Sequence, residues 1–212
     1  MTRYGVLASL FTVALVISMA SPAGAQVAQG LLDPNVAVEK DLAALPHMTA
    51  AGVKALVARR PFANVLELSA FLKEQGLTPA QQADVFRKAF IHINLNTASE
   101  AEIILIPNAG KRMAHEFEEY RPWKTFAQFD KEIGKYVPKE EVARLKSYTF
   151  IPLNLNTASQ ADFMTIPGAG RKMAHEFEEY RPWKSQQQFQ KEIGKYVNAK
   201  AVARLWRYVT IP

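Results

Sequence analysis

Apolar residues fall along this chain in two patterns. The first is a block: VLASLFTVALVISMA (6–20) is an almost unbroken apolar run behind Arg3, and it leads to Ala23-Gly24-Ala25. A positive start, an apolar middle and a small-residue end predict a secretory signal peptide over residues 1–25. The run is shorter than the ~20 residues a spanning helix needs, which argues against a retained anchor. The second pattern is periodic. Met173, Ala174, Phe177 and Tyr180 recur at helical spacing, as do Met113, Ala114, Phe117 and Tyr120. A helix is therefore expected from about Gly170 to Tyr180, with its match sixty residues earlier. Arg-Pro-Trp ends each one, because the residue before proline resists the α region. A short helix precedes each, running up to the proline of IPNAG or IPGAG. Thr97-Ala98-Ser99-Glu100 and Thr157-Ala158-Ser159-Gln160 read as the capping boxes that open it. Two further helices are expected around 186–194 and 198–208, split by Gly194, the second capped by Asn198. No alternating pattern of useful length predicts a strand, so the expected fold class is all-α.

These patterns repeat. Residues 94–152 align with 154–212 without a gap, and 39 of the 59 aligned positions are identical. A fainter copy at 33–91 keeps the landmarks: Leu45-Pro46 for Ile106-Pro107, and Arg60-Pro61-Phe62 for Arg121-Pro122-Trp123. The expected organisation is a short N-terminal stretch (26–32) followed by three segments, 33–93, 94–153 and 154–212. A lone segment of this size buries only about 60% of its unfolded surface and is marginal by itself. The apolar, proline-flanked joints leave no flexible linker, so neighbours should pack end to end.

Charge changes the picture mainly through its distribution. The whole chain carries +6. Residues 26–93 carry 7 Lys+Arg against 6 Asp+Glu, residues 94–152 carry 9 against 9, and residues 154–212 carry 9 against 5. The excess sits in the last segment, where it suits an anionic partner. There is no cysteine, which excludes disulfides, thiolate metal sites and a thiol nucleophile.

The candidate chemistry lies in the turn between the paired helices. In Ile166-Pro167-Gly168-Ala169-Gly170-Arg171-Lys172, two glycines let the chain turn sharply and let an anion approach the backbone. Free amides at the start of the next helix favour that anion, and Arg171 and Lys172 add charge-assisted donors. The second copy reads Asn108-Ala109-Gly110-Lys111-Arg112, with Asn in the first glycine's place, where it tolerates a left-handed turn but crowds the approach. The first copy, Pro46-His47-Met48-Thr49, has no glycine and no adjacent cation, and reads as structural.

Leu/Ile-Pro-Gly-x-Gly between two helices resembles the helix-hairpin-helix. With the flanking NLNTAS…IPGAG…YRPW…IGKYV pattern behind a signal peptide, the chain resembles the ComEA-like periplasmic DNA receptors of natural competence. The match covers 94–212 well and 33–93 loosely; three tandem modules depart from the family's usual single one. The resemblance implies a periplasmic or secreted protein binding double-stranded DNA without sequence preference, through phosphates and without a cofactor. Contacts of that kind position a protein on the backbone and read no bases.

Other features have blander readings. His115 with Glu119, and His175 with Glu179, could share a metal at i,i+4, but two ligands are too few. A solvated face with Arg112–Glu116 and Lys172–Glu176 pairs explains them better. Trp123, Trp183 and Trp206 could stack on bases, though an aromatic beside a helix-ending proline more often plugs a core. Lys184, Lys191, Lys195, Arg204 and Arg207 read mostly as surface charge. No nucleophile or metal motif appears, so a binding protein is expected rather than an enzyme. The rival to DNA binding is a scaffold for protein partners that keeps the fold without the ligand, a role known in the same fold family. The acidic HEFEE face and the altered first and second loops favour that rival.

Overall fold

The computed structural model describes residues 27–211. The signal peptide expected over 1–25 lies outside them. The architecture is mostly helical: α1 (Glu39–Ala43), α2 (Ala50–Arg59), α3 (Val65–Glu74) and α4 (Pro79–Phe86) are followed by β1 (Ile93–Asn94). Next come α5 (Glu100–Ile104), α6 (Gly110–Glu119), α7 (Phe126–Ile133), α8 (Lys139–Lys146) and β2 (Thr149–Phe150). The chain ends with β3 (Leu153–Asn154), α9 (Gln160–Phe163), α10 (Arg171–Glu179), α11 (Gln186–Ile193), α12 (Ala199–Trp206) and β4 (Val209–Thr210). Consecutive helices pack in pairs: α1 on α2, α3 on α4, α5 on α6, α7 on α8, α9 on α10, and α11 on α12.

The helical class holds as mostly α, with four two-residue strands that were not expected. Ile93 pairs with Thr149 and Leu153 with Val209, both in parallel, and a parallel bridge joins Leu32 to Ala89. Each pairing ties the start of one segment to its end. Two residues per strand are too few to show an alternation, so periodicity could not reveal them.

The caps differ from expectation by two residues. Ser99, not Thr97, opens α5, with Glu102 returning the bond to the Ser99 amide; Ser159 and Asp162 do the same for α9. Thr97 and Thr157 instead sit in the preceding turn, their amides donating to the carbonyls of Asn94 and Asn154. Asn198 caps α12 as expected, accepting from the Ala201 amide.

A long-range clamp fixes each helix-ending Arg-Pro-aromatic turn. The Asn156 side chain donates to the Trp183 carbonyl (2.9 Å) and accepts from the Trp183 amide (2.7 Å). Asn96 holds Trp123, and Asn35 holds Phe62, in the same two-bond way. Arg121 and Arg181 turn back to the carbonyls of Leu95 and Leu155, each at 2.7 Å.

The apolar interior has two parts. One runs from Ala37 to Ile151 and is shared by the first two segments; the other gathers the third segment around Phe163, Phe177, Trp183 and Phe189. The stretch 27–32 bridges them. Val27 is buried in the second core and pairs with Phe150, while Leu31 and Leu32 pack on the first.

The segments do more than follow one another. The first segment and the stretch before it also touch the third: Gln29 donates to the Thr165 carbonyl (2.9 Å), the Tyr208 hydroxyl to Asp33 (3.3 Å), and Arg207 to the His92 carbonyl (3.1 Å). End-to-end packing is therefore incomplete as a description, because a buried polar seam draws the chain back on itself.

Candidate functional site

Each of the three helix-joining turns enters the left-handed region at an equivalent place. The residues there are His47 (φ 61°), Asn108 (φ 66°) and Gly168 (φ 72°). Asn and His are among the side chains that enter this region most readily, so the turn survives where glycine is replaced. The turns differ at the position that starts the second helix. Thr49 caps α2 by accepting from the Gly52 amide at 3.0 Å. Gly110 and Gly170 occupy the matching positions, and neither α6 nor α10 has a side-chain cap. The first amides of these two helices are left for another acceptor, and the partial positive charge of a helix N-terminus favours an anionic one.

The glycines have different causes. Gly110 has φ 63°, which glycine satisfies without strain. Gly168 is also left-handed, and a Cβ there would lie 2.8 Å from Val36 Cγ1 and 3.1 Å from an Arg204 guanidinium nitrogen. Folding alone therefore accounts for Gly168. Gly170 is extended (φ −67°, ψ 177°), and a Cβ there would meet nothing within 4 Å. No internal contact requires a glycine at 170.

Lys111, Arg112, Arg171 and Lys172 are exposed around these turns. Among the described residues none has a carboxylate within 4 Å. The expected Arg112–Glu116 and Lys172–Glu176 pairs do not form. Arg112 instead lies 5.9 Å over the Tyr136 ring and Lys172 5.5 Å over Tyr196. Glu116 and Glu176 are buried, each leaving one carboxylate oxygen without a hydrogen bond. Tyr136 and Tyr196 hydrogen-bond to Tyr120 and Tyr180 at 2.8 and 3.0 Å. Those bonds, and then the neighbouring Glu116 and Glu176, push the phenol pKa of Tyr136 and Tyr196 well above the usual tyrosine range.

At the far end of the helices, His115–Glu119 and His175–Glu179 pair at 3.3 Å. Among the described residues no third His, Asp or Glu joins either pair to form a metal site. Cations at the N-terminal turn and carboxylates at the C-terminal turn oppose the helix dipole. Such a placement costs about 0.3–1 kcal/mol per exposed charge. Helix stability does not explain it.

Arg204 corrects the surface-charge reading. The second segment holds its counterpart, Arg144, in a bidentate pair with Glu141 at 2.6 and 2.7 Å. Ala201 stands at the position of Glu141, so Arg204 turns to the Pro167 carbonyl beside Gly168. It is buried, and burial lowers its pKa, a shift opposed by Asp33. This clamp, and the cover that Val36 gives Gly168, depend on a sequence difference and on contacts more than thirty residues apart. Local pattern carried no signal for either.

A substitution separates the two glycines. Gly168→Ala lowers stability by about 1–2 kcal/mol through the left-handed backbone and the Val36 contact. Gly170→Ala leaves stability within about 0.5 kcal/mol, as for an unremarkable surface site. Adding Val36→Ala should restore part of the Gly168→Ala loss in urea unfolding. Equal stability of Gly168→Ala and the parent would contradict the packing.

No family model, curated protein or solved structure matches the chain.

Proposed function

We propose that this is an exported protein of tandem helix-hairpin-helix modules that binds double-stranded DNA without sequence preference. It resembles the ComEA-like periplasmic receptors and would act in DNA uptake or in holding DNA outside the cell. The supporting observation is that α6 and α10 begin without a side-chain cap and carry, at the end their own dipoles disfavour, cations with no carboxylate partner among the described residues. A phosphate at Gly170, Arg171 and Lys172, and another at Gly110, Lys111 and Arg112, would resolve both features together. Ala169 is buried between the two glycines and contributes backbone rather than side chain. Thr49 closes the first turn with its own hydroxyl, so the first segment supports the other two without a grip of its own.

The test is fluorescence anisotropy of the purified protein with a random-sequence duplex across a salt series. Non-specific affinity is expected near ~1–100 μM at physiological salt. Arg171→Ala with Lys172→Ala should weaken it at least about tenfold and reduce the salt slope by about two contacts' worth. Gly170→Asp is a second variant, preferable to any change at Gly168 because it leaves the fold alone. Absence of salt-sensitive binding at low ionic strength would end this reading. A protein-interaction scaffold would then stand, a reading favoured by one observation: Gly168 and the Pro167 carbonyl are already engaged by Val36 and Arg204.

A further inference from the structure

Of the three tryptophans, two behave alike. Trp123 and Trp183 are each 1% exposed, with the indole N–H donating to the carbonyls of Phe117 and Phe177 at 2.8 and 2.7 Å. Trp206 is different. It is only partly buried and lies on the wall of an open groove of about 1120 Å³. That exceeds the ~300–1,000 Å³ typical of a small-molecule pocket, and suits a stretch of polymer.

The groove forms where the turns after the Arg-Pro-aromatic clamps converge. Lys124 and Lys184 line it at equivalent places in the second and third segments, both exposed and, among the described residues, without a carboxylate within 4 Å. Arg207 is a third cation on the wall; its Nη2 donates to the His92 carbonyl at 3.1 Å, and its buried Nη1 has no hydrogen-bond partner among the described residues. The one carboxylate in the lining, Glu102, is bound to the Ser99 amide and hydroxyl.

Differences between the two nearly identical segments sharpen the point. Trp206 and Arg207 stand where the second segment has Lys146 and Ser147. Part of this is structural: Gln186 replaces Phe126, and Trp206 takes over the cover of Phe189, with ring centroids 5.1 Å apart. Cover alone could have stayed on the first turn of α11. Moving the ring to α12 puts it, with a new cation, on the groove wall.

We infer that the groove bearing Trp206, Lys124, Lys184 and Arg207 is a second nucleic-acid site, one that binds an unpaired strand. A partly exposed indole offers a stacking platform to any base, but only to a base free of its complement. Cations at intervals along the wall follow the backbone. The site is separate from the hairpin turns. Lys184 lies beyond the C-terminal end of α10, whereas the proposed duplex grip is at the N-terminal end, about 13 Å away along the helix at 1.5 Å per residue.

The experiment titrates the protein with labelled oligothymidylate of about 15 nucleotides, within the ~4–16-nucleotide footprint of a single-strand site. Binding should quench tryptophan emission. Trp206→Lys, which installs the residue of the preceding segment, should lower affinity at least about fivefold, from the loss of one stacked base, and abolish the quench. Lys124→Glu with Lys184→Glu reverses charge on exposed side chains that form no ion pair among the described residues. It should weaken binding at least about tenfold and flatten its salt dependence. Arg171→Ala with Lys172→Ala should leave single-strand binding unchanged. If that pair abolishes single-strand binding while both groove variants retain it, the groove proposal is overturned and the hairpin reading survives. Failure to bind the oligonucleotide at low salt overturns it also, whatever the duplex does. Equal binding of inorganic polyphosphate, indifferent to Trp206→Lys, would remove the stacking role and with it the proposal.

Discussion

Trp183→Ala lowers the free energy of unfolding by about 3–5 kcal/mol, the range for deleting a buried aromatic side chain. Two losses combine, and one bond outlives its purpose. The ring is 1% exposed and packs against Phe189 and Tyr180 with centroids 5.4 and 6.0 Å away, so its removal opens a cavity in the third segment's core. The Phe177 carbonyl loses its indole donor. The Asn156 clamp continues to hold the backbone of a residue that no longer anchors anything. Trp183→Phe keeps most of the volume but not the donor, and should cost about 1–2 kcal/mol. Urea unfolding followed by circular dichroism reads both. A loss below about 1 kcal/mol for the alanine variant would mean that the core can collapse around the gap. Because Trp183 belongs to a core distinct from that of the first two segments, its loss should melt the third segment ahead of the rest.

Acidification from pH 7.5 to 5.5 should destabilise the parent more than a His92→Leu variant. His92 is 2% exposed, at the seam where the third segment meets the first, and neither ring nitrogen has a hydrogen-bond partner among the described residues. Burial lowers its pKa; Asp33 opposes the shift and Arg207 adds to it, while the backbones of Ala28 and Ser147 favour the charged form weakly. With a folded pKa below the unfolded value near 6.5, the unfolded chain binds more protons as pH falls. The stabilising contribution is therefore complete above about pH 6.5 and disappears as pH drops toward the folded pKa. A single proton gives a slope of at most about 1.4 kcal/mol per pH unit. The leucine variant removes two unsatisfied polar atoms, so its stability near pH 7.5 should match or exceed the parent's. His115 and His175 remain in both proteins, which leaves the difference between the two curves to His92. Parallel curves would show that the ring is hydrated at the seam.

Much of the helical content could be read from the residues themselves. The spacing of Met173, Ala174, Phe177 and Tyr180 placed α10 to within a residue at each end, and Gly194 and Asn198 placed the break between α11 and α12. The parallel strand pairs could not be read, because a two-residue strand has no period. Nor could the Asn–aromatic clamps, whose partners stand 27 residues apart. The candidate turns were visible as glycines and cations, but glycine in a sequence does not say why it is there. Coordinates divide the reasons: Gly168 answers to backbone and packing, and Gly170 to neither. Arg204 was misread because its behaviour follows from an absent partner, Ala201 in place of Glu141, on the preceding turn of its own helix.

The seam between the first and third segments has one more consequence. Repeating proteins are commonly open stacks that can lengthen by duplication, each new unit settling on the last. Here Asp33, Val36 and His92 are met by Tyr208, Gly168 and Arg207. Val27 and Thr210 both come to rest on the joint formed by residues 149–155, near the two limits of the described chain. The two ends of the described chain thus meet at one joint. A change that opens the seam at one end should therefore loosen the other end as well.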